Sequence, residues 1–364
     1  MILIPQIKKM DWMLVGSALF LVLFGILEIF AINKNSPDMA VILSKQSAAL
    51  VLGVFSMFAA AFFDYRFFKN NSYAAIIFYI LSLAVLGVLL VIGSHIRGAA
   101  AWIKIGSFSI EPVEFVKIAL IILFAKFFSQ RHIEMHRFFH ILVSGVYLAL
   151  PLWLVLLQPD LGSAIVVSGI WVLMMLVSGM SKRHLLILML IGALAASFAW
   201  FNLFKEYQKE RIMTFLNPYE DPQGAGYNVI QSMIAVGDGG FFGKGLGHGS
   251  QVQFGFLPEA HTDFMFASIA EEFGFFGIII IFTLLSVMVW RVVKIAALAE
   301  NNFARLFCIG FASWIFVQVV INAGMNLGIM PVTGITFPFL SYGGSSLVAL
   351  FIALGLVQSI KLRS

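Results

Sequence analysis

Long apolar runs recur along the whole chain, separated by short polar, charged or glycine-rich connections. A helix crosses the apolar core of a bilayer with about 20 apolar residues, and by that measure the pattern predicts about ten spans. They lie at 12–32, 43–63, 73–93, 113–128, 139–157, 161–180, 185–204, 263–290, 306–328 and 340–359. The pattern therefore predicts an all-α polytopic integral membrane protein.

Composition strengthens this prediction and excludes several classes of protein. The chain is 61% hydrophobic and only 11% charged, which leaves too few polar side chains to cover a soluble domain. We therefore expect one membrane domain over 1–364. The first run, 12–32, is longer than the apolar part of a signal peptide, so it is expected to remain as a span. The single cysteine, Cys308, excludes an intramolecular disulfide.

Positive charge is distributed unevenly between the two sets of short loops, which predicts an orientation. One set carries Lys8, Lys9, Arg66, Lys69, Lys126, Arg131, Arg137, Lys182, Arg183, Arg291, Lys294, Arg305, Lys361 and Arg363. The other set carries only Lys34, Lys45, Arg97 and Lys104. Both termini are thus predicted to be cytoplasmic, with three irregular polar segments, 94–112, 205–262 and 329–339, on the outer face. Because the basic residues form no continuous stripe, nucleic acid is not an expected partner.

The large extracytoplasmic loop, 205–262, is expected to be structured. Residues 205–216 place apolar groups at helical spacing, as an interfacial helix would, and a second short helix is predicted at 227–236. The glycine-rich run 239–247 resembles a phosphate-binding loop, but Gly245 follows Lys244 where that motif requires Ser or Thr. A compact loop is the better interpretation, although Lys244 could still contact a phosphate.

Three histidines suggest a metal site that the context does not favour. His132, His136 and His140 are spaced by four residues, with Glu134 between the first two, and this spacing would suit a metal-binding helix face. The segment is, however, part of a basic cytoplasmic connection, where such side chains more often face lipid head groups.

Acidic residues are concentrated at the start of the eighth span. Segment 256–272 contains Glu259, His261, Asp263, Glu271 and Glu272. Helix capping would explain one acid at this position, but not five polar groups at a membrane boundary. Crowded carboxylates raise one another's proton affinity, which suits one of them to act as a general base.

Two further segments carry charge where a span begins. Glu111, Glu114 and Lys117 are spaced by three residues, with Pro112 in the first turn, so they share one face of the fourth span. Glu114 and Lys117 are either a structural ion pair or part of a functional site. Asp160 begins the sixth span, where it is a helix cap, a functional acid or both.

Residues 322–346 interrupt two apolar runs with glycine, proline and hydroxyl groups. Irregular backbone at membrane depth is tolerated only inside the protein or along a polar cavity. Ser345 and Ser346 lack the histidine and acid that would activate a nucleophilic serine, so they are expected to cap a helix or to line the cavity.

Six motifs in this order resemble the SEDS family (shape, elongation, division and sporulation) of peptidoglycan polymerases. They are 111–117 (EPVEFVK), 158–162 (QPDLG), 226–232 (GYNVIQS), 257–264 (LPEAHTDF), 271–274 (EEFG) and 338–346 (PFLSYGGSS). Within the family, 322–325 (NAGM), 331–335 (PVTGI) and 357–360 (VQSI) are more similar to the elongation branch, RodA, than to the division branch, FtsW. The chain has Ala101 where the family usually has arginine, so a lipid-phosphate contact from that position is not carried over.

The resemblance implies a glycosyltransferase that joins lipid II units into a growing glycan strand on the outer face of the cytoplasmic (inner) membrane. Asp263 would take a proton from the acceptor hydroxyl, with inversion at the donor sugar. Lys117, Arg97, Lys244 or a divalent cation (Mg²⁺ or Mn²⁺), for which Asp263 is a candidate ligand, would stabilise the departing pyrophosphate. The substrate-binding or supporting residues would be Arg97, Glu111, Glu114, Lys117, Asp160, Lys244, Glu259, His261, Glu271, Ser341 and Ser345. The implied partners are a class B penicillin-binding protein (a transpeptidase) and other membrane proteins of the elongation complex.

Three alternatives remain open at this point. A flippase or transporter of lipid-linked precursors would also have ten spans and a polar cavity, but its charges should follow a path through the membrane. Here they cluster at the outer end, and Glu28 is the main deep exception. An FtsW-like septal polymerase and a non-catalytic scaffold for cell-wall enzymes are the other two.

Overall fold

The computed structural model describes residues 3–92, 94–96, 99–105, 108–131, 138–202, 206–224 and 226–364. Ten of its helices coincide with the ten predicted spans. These helices are α2 (Trp12–Asn33), α3 (Met39–Phe62), α5 (Ser72–Ile92), α6 (Val113–Arg131), α7 (Phe138–Leu157), α8 (Leu161–Val177), α9 (Lys182–Asn202), α13 (Met265–Leu298), α14 (Asn302–Asn326) and α15 (Gly344–Leu362). The polytopic helical architecture predicted from the sequence is confirmed.

Membrane-spanning character differs among these ten helices. Within the described residues, seven helices are long and apolar enough to cross a bilayer, and α8 is a shorter apolar helix. Helix α6 contains the charged residues Glu114, Lys117, Lys126 and Arg131, so it is less apolar than those seven helices. The protein is therefore a multi-pass membrane protein, and α6 is one of its helices that carry buried charged residues.

Helices α14 and α15 form the centre of the bundle. Their apolar stretches are mostly buried, whereas those of α3, α5 and α7 are mostly exposed, as expected of helices that face lipid. Helix α14 packs against α6, α8 and α13, and α15 packs against α3. A Cβ atom added at Gly355 would lie only 2.3 Å from the Met57 carbonyl oxygen, so the close approach of α15 to α3 depends on that glycine.

A small antiparallel sheet replaces the irregular segment expected between α5 and α6. Its strands are β1 (Ser94–Ile96), β2 (Ala99–Ile105) and β3 (Phe108–Ile110), in the order β1-β2-β3. Ile103 pairs with Ile110, and Ser94 pairs with Trp102. A search for runs of about 20 apolar residues cannot detect strands this short, so the expectation of irregular structure was wrong.

The remaining helices are short, and three of them lie in the large loop between α9 and α13. Helices α1 (Leu3–Lys9) and α4 (Arg66–Asn70) lie elsewhere in the chain. Helices α10 (Glu206–Leu216) and α11 (Tyr227–Asp238) confirm the two helices predicted in the loop, and α12 (Ser250–Gln253) is an additional short turn. The segment between α12 and α13 brings the acid-rich sequence to the start of α13.

Candidate functional site

Asp263 lies in a tight turn immediately before α13. The backbone amides of Thr262 and Phe264 both donate hydrogen bonds to the Glu259 carbonyl oxygen, and the Thr262 hydroxyl donates to Glu259 Oε2 at 2.9 Å. Glu259 itself has a φ of 51°, an uncommon conformation for a residue other than glycine. The Asp263 side chain is buried. Glu259 therefore acts as a loop-ordering residue that shapes the turn presenting Asp263.

Two buried asparagines on α14 hold the backbone of Asp263. The Asp263 carbonyl oxygen accepts hydrogen bonds from Asn322 Nδ2 at 3.0 Å and from Asn326 Nδ2 at 3.1 Å. Asn322 also donates to the Ile335 carbonyl oxygen, and Asn326 Oδ1 accepts from the Ala267 amide. These bonds join α14, the start of α13 and the irregular segment 331–341 at one point, so α14 sets the position of Asp263.

The irregular segment passes directly beside the Asp263 carboxylate. Gly334 has a φ of 74°, and a Cβ atom added there would lie 3.5 Å from Asp263 Oδ2. Any larger side chain at Gly334 would have to adopt a left-handed conformation next to the carboxylate. The interrupted region predicted from the sequence therefore borders the Asp263 carboxylate through Gly334, which is itself exposed.

Glu114 and Lys117 form an ion pair inside the bundle. Lys117 Nζ donates to Glu114 Oε1 at 2.8 Å, and both side chains are buried. The same ammonium lies 5.4 Å from the ring centroid of Trp314 on α14, a distance that gives a cation–π interaction. Glu114 Oε2 is buried without a hydrogen-bond partner among the described residues. The pair is thus neutral overall and keeps one carboxylate oxygen available.

The charges that act on Glu111 connect the Glu114–Lys117 pair with Asp263. Burial, followed by the charges of Glu114 and Asp160, raises the pKa of Glu111 well above its usual value. Lys117 lowers that pKa and Asp263 raises it further. Charges act on one another in this way only over short distances, because solvent and ions screen longer ones within roughly 10 Å. The fold therefore gathers four carboxyl groups and one ammonium from α6, α8 and the start of α13.

The raised pKa of Glu111 predicts a pH-dependent effect on stability. A carboxyl group that is harder to ionise in the folded state stabilises the fold below pH 4.5, its ordinary pKa, and loses that contribution as the pH rises through the folded value. Glu111→Gln has no charge to acquire. We therefore expect this variant to exceed the wild type in thermal unfolding midpoint at about pH 8 and to match it in acid.

The measurement is thermal unfolding of the purified protein in detergent across this pH range. Glu220→Gln removes a solvent-exposed carboxylate in the large loop and is the matched control, with no pH-dependent difference expected. A Glu111→Gln variant that became progressively less stable than the wild type as the pH rose would contradict the prediction.

Asp160 is the N-cap of α8, as predicted. Its Oδ1 accepts a hydrogen bond from the Ser163 amide at 3.0 Å, which satisfies one free amide of the first turn. Its charge also acts on Glu111, so the capping residue belongs to the acidic group as well. The two roles considered for Asp160 are compatible in the structure.

Lys244 and Glu271 belong to a second group, centred on the glycine-rich loop (residues 239–249). Lys244 Nζ donates to Asp238 Oδ2 at 2.9 Å, to Ser250 Oγ at 2.7 Å and to Glu271 Oε1 at 3.1 Å. The hydrogen bond to Asp238 is the largest cause of a raised pKa of Lys244, and Glu271 adds to it. Two carboxylates thus neutralise this ammonium, and its predicted contact with a phosphate remains a prediction.

The other predicted site residues occupy varied positions. His261 packs its ring edge-on against Tyr342, with centroids 5.5 Å apart. Ser341 Oγ accepts from the Phe337 amide at 2.9 Å and so fixes the turn before α15. Ser345 is buried, and its hydroxyl has no partner in the described part of the chain. Arg97 lies outside the described residues.

No group of three or more histidine, cysteine, aspartate or glutamate side chains is arranged to hold a metal ion, within the residues that the structure describes. His132 and His136 lie outside those residues, so the histidine site remains a prediction. Mg²⁺ often binds through one or two carboxylates together with substrate phosphates. Asp263 therefore stays a candidate ligand for an ion that arrives with its substrate.

Sequence reasoning gave no role to the asparagines that hold Asp263. Their signal is a pair of amides at i and i+4 in an otherwise apolar helix, which places both on one face of α14. Glu28, noted only as a deep charge, is also fully buried and accepts a hydrogen bond from Ser268. Both features are recognisable in the sequence only as polar residues at membrane depth, without their partners.

Comparison with known proteins gives a similarity along nearly the whole chain. The family model for FtsW, RodA and SpoVE, described as "Cell cycle protein", matches residues 8–364. The chain is 37% identical to stage V sporulation protein E of Bacillus subtilis, over 96% of each chain. It is 40% identical to the peptidoglycan glycosyltransferase MrdB of Escherichia coli, over 78% of this chain and 76% of that one.

A solved structure is also similar to this fold. It belongs to a study of the structural coordination of polymerization and crosslinking by a peptidoglycan synthase complex. The matching chain is 36% identical, covers 97% of each chain and superposes with a TM-score of 0.82.

Proposed function

This chain belongs to the FtsW, RodA and SpoVE family, the SEDS proteins, and on that premise we propose that it polymerises lipid II with Asp263 as general base. Peptidoglycan glycosyltransferase activity comes with the family, since its relative MrdB is named for it. The proposal rests on the surroundings of Asp263. Its side chain is buried, its backbone carbonyl oxygen accepts hydrogen bonds from two asparagines, and other carboxyl groups lie near it. Capping a helix would not require that arrangement.

In the proposed reaction, the 4-hydroxyl of the acceptor glucosamine attacks the anomeric carbon of the donor muramic acid sugar. The bond from that carbon to the pyrophosphate oxygen breaks, and the configuration inverts. Asp263 accepts the hydroxyl proton as the new glycosidic bond forms, and undecaprenyl pyrophosphate leaves with the bonding electrons. General-base assistance of this kind contributes about 10²–10⁴ in rate.

The surrounding charges have distinct roles in this proposal. Asp160 adds negative charge near Asp263, which favours transfer of a proton to Asp263, whereas Glu111, whose pKa is raised, and Glu114, which is paired with Lys117, contribute little charge. Lys117 is the cation of the same group, and it supplies electrostatic stabilisation of the departing pyrophosphate. Arg97 and Lys244 are the other cations proposed for that role. The hydroxyl of Ser345, which has no hydrogen-bond partner among the described residues, is available to a polar group of the substrate.

The setting is proposed from charge distribution and from relatives. The protein is a multi-pass membrane protein, and the excess of basic residues in one set of loops supports cytoplasmic termini and an outward-facing site. We assign it to elongation on the motifs at 322–325, 331–335 and 357–360. A class B penicillin-binding protein is the proposed partner, supported by the similarity to a chain from a complex that coordinates polymerization with crosslinking.

The decisive experiment supplies purified lipid II to the purified wild-type protein, alone and with its transpeptidase partner, and analyses the products as glycan strands. Polymerisation would support the proposal. Movement of lipid II between leaflets without glycan synthesis would instead favour the flippase. If the protein shows neither glycan synthesis nor movement of lipid II, whether alone or with its partner, that result would favour the scaffold and contradict the proposal.

A further inference from the structure

Helix α13 is broken at Gly274, close to Asp263. Gly274 has φ 65° and ψ −163°, a conformation open essentially only to glycine, and it divides α13 into a short segment, 265–273, and a long one, 275–298. Asp263 lies two residues before the short segment. A broken helix at membrane depth must find other partners for its freed backbone groups.

The glycine-rich loop supplies those partners one for one. In an unbroken helix, the amides of Phe275 and Phe276 would donate to the carbonyl oxygens of Glu271 and Glu272. Instead the two amides donate to the carbonyl oxygens of residues 240 and 241, both at 3.0 Å. The carbonyl oxygens of Glu271 and Glu272 accept from the amides of residues 244 and 245, at 3.0 and 2.9 Å. Two lost helical bonds are thus replaced by four bonds to the loop.

Close contact at the break requires glycine on both sides. A Cβ atom added at Gly274 would lie 2.3 Å from the Gly243 nitrogen, and one added at Gly243 would lie 2.2 Å from the Glu272 carbonyl oxygen. Both distances are far below van der Waals contact, and both atoms met are backbone atoms that cannot move aside. The loop and the break therefore fit together only through these two glycines.

Consecutive glutamates on the short segment then bind the loop and the adjoining helix α12 through their side chains. Glu271 accepts from the amides of Gln251 and Val252 at 2.9 and 3.3 Å, in addition to its bond from Lys244. Glu272 Oε2 accepts from the Gly247 amide at 2.7 Å. Both glutamates are buried, so these are bonds to charged acceptors shielded from water.

Glu28 extends this network to α2. Its Oε1 accepts from the Ser268 hydroxyl at 2.5 Å, and its carboxyl group interacts directly with that of Glu272. Two oxygens that remain, Glu28 Oε2 and Glu272 Oε1, are buried without a donor among the described residues. Lys244 is ion-paired with Glu271, whereas neither Glu28 nor Glu272 has a cation within ion-pair distance among the described residues. A proton held between Glu28 and Glu272 would remove one charge and give both remaining oxygens a partner.

We propose that the glycine-rich loop, fastened by Glu271, Glu272 and a proton-sharing Glu28, positions the short segment of α13 and thereby the carboxylate of Asp263. These glutamates are positioning residues, because they act on the reaction through the segment that carries Asp263. The inference rests on the proposed function of Asp263. A displacement of about 1 Å in a catalytic group can cost about 10²-fold in rate, so loosening this fastening should reduce kcat more than it changes KM.

The test compares Glu28→Leu with Glu28→Gln in the full-length protein. Glutamine can donate to Glu272 as the shared proton does and still accept from Ser268, whereas leucine can do neither. Two measurements are made: backbone hydrogen exchange over 240–249 and 273–277, and kcat and KM for lipid II polymerisation. For Glu28→Leu we expect faster exchange in both segments together and a kcat roughly 10- to 100-fold lower, with little change in KM. Glu28→Gln should restore most of both properties.

A second pair of variants tests the same inference in case Glu28→Leu does not fold. Gly274→Ala should separate the loop from the break, and Gly237→Ala, at an exposed helical position with open space around it, is the matched control. Faster exchange in only one segment, or in both with unchanged kcat, would overturn the inference. A lower kcat with unchanged exchange would overturn it too. Wild-type protein that made no glycan would refute the proposed function instead, and exchange would still decide whether loop and break are held together.

Discussion

Asp263→Asn is expected to reduce glycan synthesis by about 10²–10⁴-fold while leaving the fold intact. Asparagine has nearly the same shape as aspartate, and the bonds from Asn322 and Asn326 reach the backbone carbonyl, which the substitution does not alter. The variant loses only the ability to accept the proton of the acceptor hydroxyl. The loss should therefore fall on kcat, and KM for lipid II should change little.

The measurement is the rate of glycan formation from lipid II by wild-type and variant proteins purified together with the same partner. Asp38→Asn is a suitable control, because Asp38 precedes a helix, is exposed and makes no side-chain cap hydrogen bond. Both variants should unfold at the wild-type temperature. Undiminished synthesis by Asp263→Asn would refute the role of Asp263 as the base.

The ten long helices could be predicted from the sequence because each depends on local information, and seven of them are, within the described residues, long and apolar enough to cross a bilayer. A run of about 20 apolar residues specifies a membrane helix whatever its neighbours are. The cap at Asp160 could be predicted for the same reason, because an acid just before an apolar helix accepts hydrogen bonds from the free amides of the first turn. Strands of three to seven residues left no comparable signal, and the sheet at 94–110 was missed.

The site could be predicted only in part, because it is formed by contacts between distant residues. Motifs identified Asp263, Glu114 and Lys117, but no local pattern shows that Glu111 lies near Asp263 or that α14 supplies the two asparagines. The break in α13 illustrates the same limit. Gly274 within an apolar run predicts only a weak point in a helix, whereas the four hydrogen bonds that stabilise it come from a loop about 30 residues earlier.

The buried pair Glu114–Lys117 carries the second large prediction, because removing one member leaves the other uncompensated. Lys117→Met deprives Glu114 of its cation inside the bundle, and breaking a buried pair in this way typically costs about 3–5 kcal/mol of unfolding free energy. Replacing both partners, as Glu114→Gln with Lys117→Met, removes both charges and should recover most of that loss. The exposed pair Arg66–Glu300 is the control, and Arg66→Met should cost far less stability than Lys117→Met, because solvent screens an exposed pair.

Stability and synthesis must be measured on Lys117→Met, on Glu114→Gln and on the double variant, because only their combination separates a structural role from a chemical one. Denaturant unfolding in detergent gives the coupling energy between Glu114 and Lys117. If the double variant regains stability but makes no glycan, the charged pair is required for the reaction itself, as proposed for the Lys117 ammonium at the departing pyrophosphate. If synthesis returns together with stability, the pair only supports the bundle, and stabilisation of the pyrophosphate must come from another cation. We expect the first result, because the ammonium lies in the same charged group as Asp263.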